Sequence, residues 1–247
     1  MEQLWNGFVS CQDEFDGKKT IVVFPEEGTA NGCLAIKTEY WGAFPQAVEI
    51  DLLKSGFCLC FIENDNRWGT NVDIDRKANF IRQITKQYGL YEKVVPVGMS
   101  CGGLFAIKLA AKYPELISCM YLDAPVLNYL SCPCGFGDAM PLDGGAGVSE
   151  ILSSLGLKSV SQLIGYRDMP LDKICKIVNE KIPVFLVAGG QDHTVPYHEN
   201  GAYLEKAYRD AGVELSVHIK PDCDHHPHGL IDNRCAISFI LEHCKEK

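Results

Sequence analysis

The stretch Val94-Val95-Pro96-Val97-Gly98-Met99-Ser100-Cys101-Gly102-Gly103 constrains this chain more than any other. Its β-branched start predicts a strand, and Leu104 to Tyr113 predicts a helix largely buried on one side. Gly98 and Gly102 stand two residues before and after Ser100, where a side chain would jam the strand against the helix that follows. The spacing Gly-x-Ser-x-Gly is that of the nucleophile elbow. This strained turn lifts a hydroxyl out of the top of a sheet and aims a helix N-terminus at the reacting oxygen. Glycine and serine are also ordinary turn residues, so the pentapeptide gains its weight from flanks that meet the motif's demands.

The rest of the chain supplies a sheet for that turn. Phe8 to Phe15 and Lys19 to Pro25 read as strands joined by a hairpin at Asp16-Gly17. Cys33 to Thr38 reads as a third strand, running into the loop Glu39-Tyr40-Trp41-Gly42-Ala43-Phe44-Pro45. Gln46 to Lys54 predicts a short helix, Phe57 to Ile62 a strand covered on both faces, and Asp75 to Tyr88 a helix. Ser118 to Leu122, Pro183 to Ala188 and Leu215 to Ile219 complete the strands; Tyr197 to Ala211 and Leu230 to Cys244 are the remaining long helices.

Strand alternating with helix predicts an α/β fold, a mostly parallel central sheet of about eight strands with helices on both faces. Between strands 6 and 7 the rhythm changes, with short helical pieces around Val148 to Leu155, Ser159 to Ile164 and Leu171 to Asn179. An insertion of this size, 126–182, predicts a lid or a substrate-binding wall. Neither a linker nor an internal repeat interrupts the pattern, so 1–247 reads as a single domain.

Net charge is −9 and basic residues form no run, which disfavours nucleic acid and anionic membrane surfaces as partners. The N-terminal residues lack a leader pattern and no apolar run approaches the ~20 residues that cross a bilayer, so the expected location is cytoplasmic. Of the twelve cysteines, Cys58, Cys60, Cys119 and Cys235 lie in apolar patterns where a thiol acts as a small hydrophobe, and reduced thiols are the simpler account. Cys132-Pro133-Cys134 stands apart, but no second pair at zinc-finger spacing accompanies it, and no metal is expected there.

A serine hydroxyl needs a base within reach and a group that holds the base in the right tautomer. The strand ending at Ala188 leads to Gly189-Gly190-Gln191-Asp192-His193-Thr194-Val195-Pro196, which puts an acid, Asp192, at a strand's C-terminal end. The last strand leads to Asp222-Cys223-Asp224-His225-His226-Pro227-His228-Gly229, which brings histidines to the same edge. His225, first out of the strand, is the expected base, with His228 and then His226 as alternatives. Asp123, also at a strand end, is the alternative acid, whereas Asp222 and Asp224 lie too near the histidines in sequence. The backbone N–H of Cys101 comes with the elbow as one oxyanion donor. The loop after the third strand should supply the second, with Tyr40 or Trp41 as its source. Trp41 and Met99 are expected to line the substrate site, and the Cys101 thiol should point away from the apex.

In type, order and position relative to strands, the segments around Ser100, Asp192 and His225 resemble those of the α/β-hydrolase superfamily, and the resemblance spans nearly the whole chain. It is nearest to small single-domain bacterial hydrolases or esterases with a His-His-Pro-His segment. Asp224 departs from that pattern, standing where glycine is frequent. The resemblance implies a cofactor-free serine hydrolase acting on a small-molecule ester of short acyl chain, an acetylated carbohydrate being one candidate. A prolyl-type peptidase is the enzymatic alternative, less expected because the sequence reads as a single domain without a propeller to gate it. A metal- or ligand-binding protein on the same fold, using the histidine turn with His193, His198 and cysteines, is the non-enzymatic one.

Overall fold

A computed structural model describes residues 2–43 and 45–244. Phe44, within the loop after the third expected strand, lies outside the described residues. The chain runs β1 (Glu2–Trp5), β2 (Phe8–Phe15), β3 (Lys18–Val23), β4 (Leu34–Lys37), α1 (Ala47–Lys54), β5 (Cys58–Ile62), α2 (Asn71–Tyr88), β6 (Val95–Met99), α3 (Cys101–Lys112) and β7 (Met120–Asp123). It continues with α4 (Ala146–Ser154), α5 (Val160–Ile164), α6 (Ile174–Asn179), β8 (Val184–Gly189), α7 (Gly201–Ala211), β9 (Leu215–Lys220) and α8 (Arg234–His243).

One nine-stranded sheet results, in the order β1-β2-β3-β5-β4-β6-β7-β8-β9. The β1–β2, β2–β3 and β3–β5 pairs are antiparallel, and the rest of the sheet is parallel. The extra strand is β1, which makes a hairpin with β2 through Asn6 (φ +49°) and Gly7 (φ +88°). Two consecutive left-handed residues are what the type I′ hairpin requires, and Asn-Gly is its strongest sequence signal. With that strand counted, the segment 126–182 falls between β7 and β8.

Strands β4 to β8 are buried along their whole length, as expected of a parallel sheet with helices on both faces. One face packs Ile74, Ile81, Phe105, Ile177 and Leu204 from α2, α3, α6 and α7. The other packs Val48, Leu52, Ala236 and Ile240 from α1 and α8. Four parallel strands, β6 to β9, thus end at one rim, and a rigid layer behind each fixes where its following loop begins. No described helix is long and apolar enough to cross a membrane.

The twelve cysteines are free thiols. Cys58, Cys60 and Cys119 are buried as expected, but Cys235 is exposed on α8. Cys132 and Cys134 are buried within the larger core cluster.

Candidate active site

Ser100 follows β6 directly, caps α3, and has φ +51° and ψ −120°, the only positive-φ residue between Gly89 and Ala124. A non-glycine residue in that region stores strain and persists only where its surroundings over-determine it. Here the surroundings are hydrogen bonds: the Ser100 N–H donates to the Asp123 carbonyl at 2.9 Å, and its carbonyl accepts from Gly103 at 2.9 Å and Val126 at 3.0 Å.

A Cβ on Gly98 would stand 2.6 Å from the Gly102 carbonyl oxygen and 2.9 Å from the Gly103 Cα. On Gly102 the nearest atom is Thr38 Oγ1 at 3.0 Å, whereas on Gly103 the Cβ would fall 2.3 Å from the Pro125 Cβ. The tight glycines are therefore Gly98 and Gly103, and Gly102 has more room than its place in the motif suggests. Gly98→Ala is expected to cost about 1–3 kcal/mol or more through overpacking against backbone, read as a lower denaturation midpoint. Gly102→Ala should cost clearly less. Equal losses would show that the strand–helix approach is not what these glycines serve.

The two partners arrive from the neighbouring strand ends. Gly189 and Gly190 close β8, and a Cβ on either would strike the chain leaving β9, at the Asp224 carbonyl (2.4 Å) and the Pro221 carbonyl (2.7 Å) respectively. Their missing side chains let the acid loop and the histidine turn lie against each other. Asp224 then bridges the two: its Oδ1 accepts from the backbone of His193 at 3.1 Å and of His225 at 2.7 Å. Lys220 Nζ donates to the carbonyls of Pro227 (2.6 Å) and Gly229 (3.0 Å), gathering the rest of the turn.

So placed, His225 Nε2 lies 3.0 Å from Ser100 Oγ and His225 Nδ1 lies 2.8 Å from Asp192 Oδ2. Asp192 is 5% exposed. Its other oxygen accepts from Thr194 N–H at 2.9 Å and Val195 N–H at 2.7 Å. Burial alone would raise the Asp192 pKa. The His225 bond and charge and the two backbone donors outweigh it and hold the carboxyl below its ordinary range. One chain of hydrogen bonds thus joins a hydroxyl, an imidazole and an ionised carboxylate at the sheet's C-terminal rim.

The family model for the alpha/beta hydrolase fold matches residues 63–150. The acylaminoacyl peptidase of Pyrococcus horikoshii superposes with a TM-score of 0.67 at 14% identity, over 87% of this chain and 37% of that one. The chain has the α/β-hydrolase fold. Dipeptidyl peptidase 4 of Porphyromonas gingivalis superposes at 0.70 and 12% identity, over 96% of this chain and 36% of that one. An acylaminoacyl peptidase in complex with Z-Gly-Gly-Phe-chloromethyl ketone does so at 0.71 and 16%, over 97% and 42%. The chain therefore spans about two fifths of the length of those peptidases. No curated protein matches it in sequence.

Around the hydrolase fold's serine, the remaining expected residues take distinct places. Asp123, the alternative acid, is 1% exposed and turned to His228 instead, with Asp123 Oδ1 3.3 Å from His228 Nδ1. Its Oδ2 accepts from the Gly229 N–H. The two buried acids and two of the histidines thus form separate pairs, and only the Asp192–His225 pair reaches Ser100. His226 is exposed on the outer side of the turn; partial burial and the neighbouring imidazoles lower its pKa.

Cys101 is 1% exposed, with its thiol in the core. Burial, partly offset by a bond from Tyr40, pushes that thiol up to about 11, so it stays protonated. As the first residue of a twelve-residue helix, Cys101 has a backbone N–H without an intrahelical partner. Tyr40 has φ +55°, and its N–H donates to its neighbour Glu39 Oε1 at 3.2 Å. Its phenol faces the Cys101 thiol and the Arg67 guanidinium, and burial raises its pKa well above the ordinary value. Trp41 does not join them: its ring packs between Trp5 at 4.9 Å and Phe61 at 5.5 Å, on the α1 and α8 side of the sheet. Met99 is 5% exposed and offers little surface to a ligand.

Two residues that sequence reasoning passed over belong to this neighbourhood. Arg67, after β5, reaches from Tyr40 to the 126–182 segment, bonding Glu150 at 2.6 Å and Asp143 at 2.7 Å. Asn200, which breaks the helix expected from Tyr197, accepts the N–H groups of Leu127 (2.9 Å) and Asn128 (3.0 Å) through Oδ1. His198 sits apart from the histidine turn, 3.0 Å from Asp138. The surface groove lined by Lys54, Ile231 and Arg234 shares no residue with the Ser100 site.

Proposed function

We propose that this chain is a serine hydrolase that cleaves carboxylic esters of small acyl groups, with Ser100 as nucleophile, His225 as base and Asp192 as the orienting acid. The observation that carries the reading is the unbroken hydrogen-bonded path from Asp192 through His225 to Ser100 Oγ. In this scheme Ser100 Oγ bonds to the ester carbonyl carbon as its proton passes to His225 Nε2. The proton then goes to the leaving alcohol, and a water repeats the sequence to free the acid. Asp192 steadies the imidazolium in both halves. The negative oxygen is met by the Cys101 N–H and by the Tyr40 N–H, which exchanges Glu39 for the substrate. No cofactor enters the scheme.

The segment 126–182 is the wall that selects acyl and alcohol groups in this reading. The Arg67 ion pairs support it, as does the bond of 2.7 Å from Met140 N–H to the His193 carbonyl beside Asp192. An acetylated carbohydrate fits the resemblance to small bacterial esterases. The fold shared with acylaminoacyl peptidase and dipeptidyl peptidase 4 favours a second reading, an amide in place of the ester.

Fluorophosphonate labelling followed by a rate comparison tests both. Stoichiometric label on Ser100 is expected, with acetyl and butyryl esters turned over faster than long-chain esters or peptidyl nitroanilides. Faster cleavage of the nitroanilides would move the assignment to the peptidase. Folded protein that takes up no label would overturn both.

A further inference from the structure

The turn after β9 carries three histidines, and the Ser100 path uses only one. The rings of His225, His226 and His228 stand edge to face in a closed triangle, with centroids 4.9, 4.9 and 4.8 Å apart. One ring nitrogen from each lies within 4.8 Å of the others. Zinc–nitrogen bonds of ~2.0–2.1 Å put the nitrogens of a tetrahedral site roughly 3.4 Å apart. The triangle therefore needs to close by about an ångström, which the exposed His226 can supply by rotating.

Behind two of the rings stands a carboxylate. Asp192 lies 2.8 Å from His225 Nδ1, and Asp123 lies 3.3 Å from His228 Nδ1. A carboxylate on the far nitrogen is the support that metal-bound histidines ordinarily have, fixing the tautomer and sharpening the free nitrogen as a ligand. His228 is 6% exposed and its Nδ1 and the facing Asp123 Oδ1 lack a well-formed hydrogen bond, so this pair has capacity that the fold does not use.

We propose that His225, His226 and His228 form a three-imidazole site that captures a zinc ion and thereby switches the Ser100 site off. The lone pair that would bond zinc on His225 is the one that would take the Ser100 proton, so metal and catalysis compete for one atom. The step is ligand exchange alone: zinc sheds water, gains three nitrogens, and no electrons change hands. The capture stands by itself, whereas the switching rests on the proposed hydrolase reading.

The test titrates zinc into the full chain, following ester hydrolysis, fluorophosphonate labelling, and bound metal by competition with a chromophoric chelator. His226→Ala is the decisive variant, because His226 takes no part in the Ser100–His225–Asp192 path. His198→Ala controls for the exposed Asp138–His198–Glu199 cluster. Loss of outer-sphere partners alone costs on the order of 10–100-fold in affinity, so loss of a ligand should cost at least that. Wild type is expected to bind one zinc with parallel loss of activity and labelling. His226→Ala should keep its zinc-free rate and need at least ~10-fold more zinc for half-inhibition, while His198→Ala should behave as wild type. Equal zinc sensitivity in His226→Ala, or sensitivity abolished by His198→Ala, overturns the proposal, as does failure of wild type to bind zinc at millimolar concentration. If the hydrolase reading fails, chelator competition still reports whether removing His226 removes the bound zinc.

Discussion

Ser100→Ala is expected to lower kcat on p-nitrophenyl acetate by on the order of 10⁴–10⁶, with fluorophosphonate labelling abolished and KM little changed. The size follows from what remains. His225, Asp192 and the donors at the start of α3 persist, and such a remainder still surpasses water by ~10³–10⁴. Alanine keeps the Cβ of serine, so the strain at φ +51° is unaltered and the fold should survive. Circular dichroism would check that. A variant that hydrolyses the ester at the wild-type rate ends the assignment of Ser100 as nucleophile, whatever the distances around it.

Asp192→Asn should lower kcat by roughly 10³–10⁴, because an amide cannot hold the imidazole in the tautomer that accepts a proton from serine. Asp123→Asn is expected to behave differently, losing less than about tenfold in kcat but about 1–3 kcal/mol in stability. Its oxygens serve the Gly229 N–H and the neighbourhood of His228, away from Ser100. The contrast decides between two acids that stand at adjacent strand ends, and reversed outcomes would transfer the orienting role to Asp123. Acid pH adds a second reading of the same pair. The Asp192 carboxyl is held below its ordinary value of 3.8 in the folded chain, so its stabilising effect is complete above that value and is lost as pH falls through the lower folded one. Asp192→Asn should therefore flatten the fall of Tm with acidity below about pH 4, and an unchanged slope would contradict the cause assigned to that shift.

What could be read from residues alone was what local spacing encodes. The elbow was legible because Gly98, Ser100 and Gly102 lie within five residues, and the buried strands because uninterrupted apolar runs have few other uses. The first hairpin was also encoded, at Asn6-Gly7, but Glu2 to Trp5 lacks the alternation that marks a strand. Apolar periodicity alone starts α2 at Asp75, whereas the helix begins at Asn71, because Thr70 Oγ1 caps it by accepting the Asp73 N–H at 3.4 Å.

Other features depend on residues distant in sequence. Nothing near Gly103 announces that Pro125 will press on it, and nothing near Trp41 announces Trp5 and Phe61. Asn200 ends a helical pattern because two N–H groups some seventy residues earlier need an acceptor. His225 is the expected base because it comes first out of the strand, but what holds it there is Asp224, whose role no local spacing announces. Its carboxylate fastens His225 to the acid loop, which a glycine could not do.

The bond from Val126 to the Ser100 carbonyl, with those from Leu127 and Asn128 to Asn200, pins the first residues of the 126–182 segment to the serine turn on one side and to the start of α7 on the other. Whatever the chain does after Asn128, its departure point is set by the same backbone that sets the serine. Lengthening, shortening or exchanging the distal part of that segment would leave the attacking atom where it stands. On the proposed reading, substrate preference could therefore change without disturbing the reaction, since the two are written on opposite sides of a fixed junction.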